Sequence, residues 1–150
     1  MYAHSQLRPW QPEAGGEIFS AEPDASGLII MSATGPNPSD HRTRRGWNPD
    51  TTAADMNRRN EFAQGRHAVG LWHTHPEPHP SPSSQDQVTT REYLKSFHGQ
   101  RSRYFMVIIG NRGTPPVMVV WVLSEHTAGR WEQLREMQAP DVLPLESVIR

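Results

Sequence analysis

Cysteine is absent from all 150 residues of the chain. That absence excludes disulfide bonds, thiolate ligands for a metal ion and a cysteine nucleophile. Any metal site must therefore be built from histidine and carboxylate side chains. A chain without cysteine is compatible with a reducing cytoplasm, and we expect a cytoplasmic protein.

An excess of one charge is also missing, since 15 lysines and arginines face 16 acidic residues and the net charge is -1. This balance argues against bulk electrostatic capture of nucleic acid or of an anionic membrane. No apolar run approaches the length needed to cross a bilayer, and the first ten residues lack the pattern of a signal peptide. We therefore expect neither a nucleic-acid partner nor a membrane partner.

Proline and glycine are plentiful instead, with 14 and 11 copies that fall between apolar runs. The length predicts one domain that spans residues 1–150, and we expect a monomer. Residues 1–12 have room for at most a short helix before Pro9. The pair Gly15 and Gly16 would allow a close backbone approach or an unusual turn.

Helix and strand patterns alternate along the rest of the chain. Residues 27–33 read as a buried strand, and residues 34–49 read as a surface loop. A helix should follow Asp50 as N-cap through Gln64, with Gly65 ending it. A strand over residues 68–75 comes next.

The second half has a helix over residues 84–97, with Val88, Leu94 and Phe97 predicted on its core side. Apolar runs at residues 104–110 and 117–123 predict a central antiparallel pair. The spacing of Trp131, Leu134 and Met137 favours a third helix, and residues 140–150 form a tail without an assignment. The expected class is α/β (α+β), a mixed sheet flanked by helices.

The stretch most suggestive of chemistry is residues 71–86, which contains His73, His75, Ser83 and Asp86. In a strand, side chains at i and i+2 share a face, so both imidazoles would aim at one point. Trp72 and Thr74 would face the other way. Two imidazoles and a carboxylate suit a zinc ion with an open fourth position, so we predict a single catalytic Zn²⁺.

Each of these residues also has an ordinary structural role. The two histidines could face a polar surface or each make a hydrogen bond in the core. Ser83 and Asp86 resemble a capping box, with the serine as N-cap and the acid in the first helical turn. The four residues together, at these spacings, favour the metal site.

A zinc ion with three protein ligands needs a general base to activate its bound water. Zinc lowers the pKa of that water to about 7, so a nearby carboxylate can take its proton. The candidates are the nearby acidic residues, and the pattern alone does not choose among them: Glu13, Glu17, Glu22, Asp24 and Glu77. Ser83 could stabilise an oxyanion, which would be worth about 2–4 kcal/mol.

The spacing of Glu13, His73-Thr-His75, seven residues, Ser83, two residues and Asp86 resembles the JAMM (MPN+) metalloprotease pattern. Residues 13–19 also resemble the segment of that family that holds its catalytic glutamate, which selects Glu13. Ser20 stands where a glycine is more usual.

The resemblance implies a JAB/MPN domain with a cytidine-deaminase-like arrangement. It also implies that His73, His75 and Asp86 bind zinc, that Glu13 is the catalytic base and that Ser83 stabilises the intermediate. Members of this family hydrolyse isopeptide or peptide bonds at the C-terminus of ubiquitin or ubiquitin-like proteins.

Residues 33–44 and 70–77 look most similar to stand-alone bacterial JAMM peptidases of CBASS anti-phage operons. This similarity implies deconjugation of a ubiquitin-like protein or a cGAS-like nucleotidyltransferase with an extended C-terminal tail. One alternative is a peptidase that processes the C-terminus of a sulfur-carrier protein. Another is a non-catalytic, zinc-containing module that binds a ubiquitin-like partner.

The segment before Glu13 departs from the family, because it leaves almost no room for the usual first strand and full first helix. We expect either a truncated N-terminus or a sheet that lacks that edge strand. His79 is expected to be exposed. The cluster of Arg42, Arg44 and Arg45 is expected to be a solvated loop, with contact to an acidic substrate surface as the alternative.

Overall fold

The computed structural model describes residues 1–125 and 130–137. Within them, no helix has the length and apolar character needed to cross a bilayer. The elements run in this order: a 3₁₀ turn Tyr2–His4, β1 Gly15–Ser20, β2 Ser32–Ala33, β3 His41–Thr43, β4 Gly46–Asn48, α1 Thr51–Ala63, β5 His67–Thr74, α2 Ser84–Ser96, β6 Arg103–Gly113, β7 Pro116–Ser124 and β8 Trp131–Gln133.

Six of the strands form one mixed sheet, in the order β2-β1-β5-β6-β7-β8. Strands β5 and β6 are parallel, whereas the other neighbours pair in antiparallel fashion. The parallel pair requires a crossover, which α2 provides. Strands β3 and β4 form a separate hairpin. The predicted α+β class with a mixed central sheet and flanking helices is confirmed.

The caps that the sequence predicts explain where both helices begin. Asp50 accepts a hydrogen bond from the amide of Ala53 and starts α1, and Gly65, at φ 73°, follows its end. Ser83 caps α2. Each cap satisfies amide groups that have no partner inside the helix, which fixes the residue at which the helix begins.

Side chains on the two faces of the sheet pack into two separate hydrophobic cores. On one face, Ile18, Val69, Trp72, Val107 and Ile109 pack together with Ala14. On the helical face, four buried residues form the second core: Leu71, Leu94, Tyr104 and Leu123. Because Trp72 belongs to the first core, its strand neighbours at 71 and 73 turn to the helical face.

The prediction of a buried strand over residues 27–33 is wrong. Only Ser32 and Ala33 pair with β1, and Ile29 and Met31 are 72% and 58% exposed. This segment lies at the edge of the sheet, so one side of it has no strand to cover it. The apolar run therefore reflects partial packing of Leu28 against the first core rather than a central strand.

The predicted helix around residues 131–137 is also wrong. Residues 131–133 instead form β8, which pairs with β7 and extends the sheet. A three-residue spacing of apolar side chains cannot outweigh the free hydrogen-bonding edge of a long strand. Leu134 and Met137 remain 45% and 54% exposed, as expected of a segment along the outside of the sheet.

Two other expectations need partial correction. Val88 is 46% exposed, while Leu94 is buried and Phe97 packs beside it, so α2 turns Val88 away from the sheet. The surface loop over residues 34–49 contains the β3–β4 hairpin.

Ahead of Glu13, the described residues have only the 3₁₀ turn and no strand. Residues 140–150 lie outside the described part of the chain.

Candidate metal and hydrolase site

The two histidines lie where β5 leaves the sheet. His73 pairs with Gly15 of β1 on one side and with Ile108 of β6 on the other. The amide of His75 donates to the carbonyl of Ile109, with an N···O distance of 2.9 Å. Flanking strands thus fix the backbone of both residues, and their side chains are 6% and 9% exposed.

Asp86 reaches the histidines from the first turn of α2. Its amide donates to Ser83 Oγ over 3.1 Å, and its Oδ2 accepts from the amide of Ser83 over 2.7 Å. This reciprocal capping box is present as the sequence predicts. Because the box holds the carboxylate by the backbone, Asp86 is directed at the histidines before any ion binds.

The donor atoms of these three residues form a compact triangle. His73 Nε2 lies 3.4 Å from Asp86 Oδ1, and His75 Nε2 lies 3.4 Å from Asp86 Oδ2. The two Nε2 atoms are 2.9 Å apart. Two ligands about 2.0–2.1 Å from a tetrahedral zinc lie roughly 3.3 Å apart, so the donors fit such an ion after a small separation of the two rings.

The ionisation of the cluster also suits a cation. Burial raises the pKa of Asp86, but hydrogen bonds with His73 and His75 outweigh it and hold that pKa well below its usual range. Burial lowers the pKa of His75, yet the hydrogen bond and charge of Asp86 raise it overall. Asp86 is therefore an anion that favours a positive charge beside it, whether an imidazolium or a metal ion. The three residues could hold a metal ion.

Glu13 stands at the entrance to β1, next to the end of β5. Its amide donates to the carbonyl of Thr43 over 2.7 Å, and its carbonyl accepts from Arg42 Nε over 2.5 Å. The next residue, Ala14, donates its amide to Thr74 Oγ1 over 3.0 Å. These bonds fix the backbone of Glu13 between β5 and the hairpin while leaving its carboxylate free.

The carboxylate of Glu13 opens onto a cavity of about 390 Å³ that also contains His73, His75, Ser83 and Asp86. Burial raises the pKa of Glu13 to about 7, in spite of the opposing charge of His75. A carboxyl group with a pKa near neutrality can both accept and return a proton. The side chain is 7% exposed, and within the described residues it forms no ion pair.

The glycine pair explains how the cavity is built. A Cβ on Gly15 would lie 2.5 Å from the ring of Trp47, and one on Gly16 would overlap the carbonyl oxygen of Thr34. The predicted close backbone approach is therefore present. It lets Trp47 of β4 lie against β1 and form one wall of the cavity.

The other acidic candidates lie elsewhere or are more exposed. Glu17 points into the protein and pairs with Arg58 at 2.8 Å. Glu22 and Asp24 are exposed on the loop after β1, outside the cavity lining. Glu77 lines the cavity but is 54% exposed, and its carboxylate lies 3.8 Å from Nδ1 of His75.

Two further predicted residues have clear positions. Ser83 is exposed at the mouth of the cavity, and its hydroxyl oxygen accepts the capping hydrogen bond, which leaves its proton available to another acceptor. His79 is exposed and does not line the cavity.

Sequence reasoning missed Trp47 as part of the site, and it gave the neighbouring arginines a contact with substrate only as the alternative to a solvated loop. Trp47 and the turn residues Arg44 and Arg45 line the same cavity as the histidines. Asp40 anchors this hairpin, because its Oδ2 accepts from Trp47 Nε1 over 2.9 Å. A tryptophan directly after Arg44-Arg-Gly, inside a segment otherwise rich in turn formers, was the available signal.

Comparison with known proteins agrees with this geometry. Residues 1–124 match the family model described as prokaryotic homologs of the JAB domain. No curated protein matches the chain. A solution structure from Desulfitobacterium hafniense superposes with a TM-score of 0.61 at 18% identity, covering 89% of this chain and 82% of the other. One from Salinibacter ruber gives 0.51 at 19% identity, covering 96% and 88%. Identities this low show similarity of fold alone.

Proposed function

The chain belongs to the family of prokaryotic JAB-domain homologues, and on that premise we propose that it is a zinc-dependent peptidase or isopeptidase. One observation carries the proposal. The histidine and aspartate cluster shares a cavity with a buried carboxylate that forms no ion pair in the described residues. A purely structural metal site has no need of such a carboxylate.

His73, His75 and Asp86 are the residues that would hold the ion. Zinc in that position would supply a Lewis acid that lowers the pKa of a water molecule to about 7 and polarises a carbonyl. Three protein ligands leave a position open, as catalytic zinc sites do. The closed set of four ligands that is typical of structural zinc is not what this cluster offers.

Glu13 acts as the general base and then as the general acid. Its carboxylate takes the proton that the attacking water gives up and passes that proton to the leaving amine, so the peptide bond is broken by one water molecule. In the protein without metal, burial raises its pKa to about 7, and this burial favours return of the proton to the amine. Ser83 donates its hydroxyl proton toward the developing oxyanion while its oxygen continues to cap α2.

The substrate we propose is a protein with an extended C-terminal tail that enters the cavity in the cytoplasm. We propose that this protein is a ubiquitin-like protein or a cGAS-like nucleotidyltransferase. The enzyme would release it from its conjugates during CBASS anti-phage signalling. The support is the similarity of residues 33–44 and 70–77 to peptidases of those operons. We further propose that the enzyme works as one monomeric domain.

The test is cleavage of tail fusions by the purified protein. Zinc should support cleavage of a ubiquitin-like or nucleotidyltransferase tail, and a chelator should abolish it. His73→Ala and Asp86→Ala should lose both cleavage and bound zinc, measured by metal analysis. Cleavage of a sulfur-carrier tail alone would favour the processing peptidase, and tail binding without cleavage would favour a binding module.

A further inference from the structure

A group of four arginines, Arg8, Arg44, Arg45 and Arg112, adjoins the site and is called here the basic surface. Arg44 and Arg45 line the site cavity itself. Arg44 also lines a neighbouring cavity of about 500 Å³, together with Arg8 and Arg112. The two cavities therefore meet at Arg44, and one extended ligand could occupy both.

In the part of the chain that the structure describes, none of these four guanidinium groups forms an ion pair with an acidic residue. Arg44 Nη1 donates to the carbonyls of Arg8 and Pro9, over 3.3 and 2.6 Å, and within the described residues no other nitrogen of its guanidinium donates a hydrogen bond. The positive charge is therefore left for a ligand to neutralise.

Buried hydrogen bonds hold the backbone of this surface in place. Gln6, 1% exposed, donates through Nε2 to the carbonyl of Arg44 over 2.8 Å and to that of Gln11 over 3.0 Å. It joins the N-terminal segment to the turn of the hairpin. A surface whose backbone is already ordered loses less conformational entropy when it binds a ligand.

The distribution of charge makes the surface distinctive. The chain as a whole has a net charge of -1, yet the lining of the neighbouring cavity contains three arginines and no acidic residue. Arg8 stacks 5.5 Å from the ring of Trp10, which is 72% exposed. Clustered cations create a local positive potential that attracts anionic ligands.

From these observations we infer that the basic surface binds an acidic segment of the substrate, on the side where the tail passes the β3–β4 hairpin. This inference rests on the proposed peptidase function, since it assigns the substrate of that same cavity. Arg45 and Arg112 are then residues that determine specificity. Aspartate and glutamate side chains are the ligands, because arginine forms paired hydrogen bonds with carboxylates.

An acidic peptide fits this surface better than nucleic acid does. The arginines line the proposed peptidase cavity and the cavity beside it. Exposed Leu7 and Trp10 beside them offer apolar contacts that suit peptide side chains. Nucleic acid binding is retained as an outcome of the test.

The cleavage experiment uses a set of tail fusions that differ only in three residues beside the scissile bond. These residues are three aspartates, three serines or three lysines, and each insert is placed before the bond in one fusion and after it in another. On one of the two sides, kcat/KM should be roughly tenfold higher for the aspartate tail than for the lysine tail. Arg45→Glu with Arg112→Glu should reverse this order. Arg59→Glu with Arg135→Glu, two exposed arginines away from the cavities, should preserve it.

A binding experiment keeps the inference separate from the peptidase proposal. A labelled peptide of alternating aspartate and glycine should bind, as measured by fluorescence anisotropy, and should bind more weakly as salt increases. The Arg45→Glu, Arg112→Glu variant should weaken binding about tenfold, whereas the control pair should not. Cleavage without any charge preference, or tighter binding of single-stranded DNA than of the peptide, overturns the inference. If no tail is cleaved, the peptidase proposal fails, and the binding arm still decides the role of the basic surface.

Discussion

Two buried glutamates at the start of β1, Glu13 and Glu17, have similar burial and opposite surroundings. They are 7% and 3% exposed, and burial raises the pKa of both. Arg58 donates through Nε to both carboxylate oxygens of Glu17 at 2.8 Å. Arg42, the arginine that contacts Glu13, binds its backbone carbonyl instead.

The spaces beside the two carboxylates differ as well. Glu13 opens onto the cavity of about 390 Å³, whereas Glu17 borders one of about 10 Å³. The smaller space is at the lower limit for one water molecule, so it holds no substrate. Burial alone therefore does not mark a candidate catalytic acid; a neutral-range pKa next to an open cavity that could hold a metal ion does.

The two glutamates should differ most in an activity assay that compares Glu13→Gln with Glu17→Gln. Removing a general base costs about 10²–10⁴-fold in rate, so Glu13→Gln should lose at least a hundredfold in kcat/KM. Glu17→Gln should stay within a few-fold of the wild type, because it touches no reacting group. Both rates are measured with the same tail fusion and saturating zinc.

Metal analysis provides the control for that pair, since both variants should bind as much zinc as the wild type. Equal activity losses in the two variants would show that Glu13 has no special role. Full activity of Glu13→Gln would remove it as the base and would make Glu77, the other glutamate that lines the cavity, the next candidate.

For the free energy of unfolding, we expect the surroundings of Glu17 to matter more than those of Glu13. Arg58→Ala leaves Glu17 buried without its cation and should lower the free energy of unfolding by about 1–3 kcal/mol. Arg59→Ala is the matched control, because the neighbouring Arg59 pairs with Asp55 on the surface at 2.8 Å. An exposed i,i+4 pair contributes only about 0.3–0.5 kcal/mol.

Chemical denaturation of the two variants measures this difference. Adding Glu17→Gln to Arg58→Ala should restore part of the lost stability, because the buried carboxylate no longer carries a charge. If Arg58→Ala and Arg59→Ala are equally mild, the ion pair with Glu17 does not stabilise the fold.

Local patterns in the sequence were enough to predict most of the elements around the site. The two capped helices, β5 and the β6–β7 pair are where the sequence predicts them, because caps and apolar runs act over a few residues. The grouping of His73, His75 and Asp86 likewise follows from an alternating strand end and a capping box.

Features that depend on distant pairing could not be predicted in this way. Residues 131–133 became a strand because β7 had a free edge, whereas only Ser32 and Ala33 of the apolar run 27–33 are in register with β1. The choice of Glu13 over Glu17 came from resemblance, since nothing near Glu17 in sequence indicates Arg58, forty-one residues away. Trp47 joined the site through a contact with Gly15 that only the folded chain reveals.

The smallest effect we predict is a pH dependence of stability in protein freed of metal by chelation. The pKa of Glu13 is about 7 in the folded protein, against an ordinary value of 4.5. The folded state therefore binds more protons between these values, so the free energy of unfolding falls as pH rises from about 4.5 to 7. Above pH 7 this contribution is constant.

Glu13→Gln should remove that decline, so the variant should be more stable than the metal-free wild type at pH 8 by about 1–2 kcal/mol. Glu17→Gln should remove a smaller part, because Arg58 counteracts the effect of burial on the Glu17 pKa. Denaturation curves of the three proteins at pH 5 and pH 8 measure both differences. If Glu13→Gln were no more stable than the metal-free wild type at pH 8, the carboxylate of Glu13 would be fully hydrated in its cavity. In that case, Glu13 would serve as the proposed general base because of its position in the cavity and not because of a raised pKa.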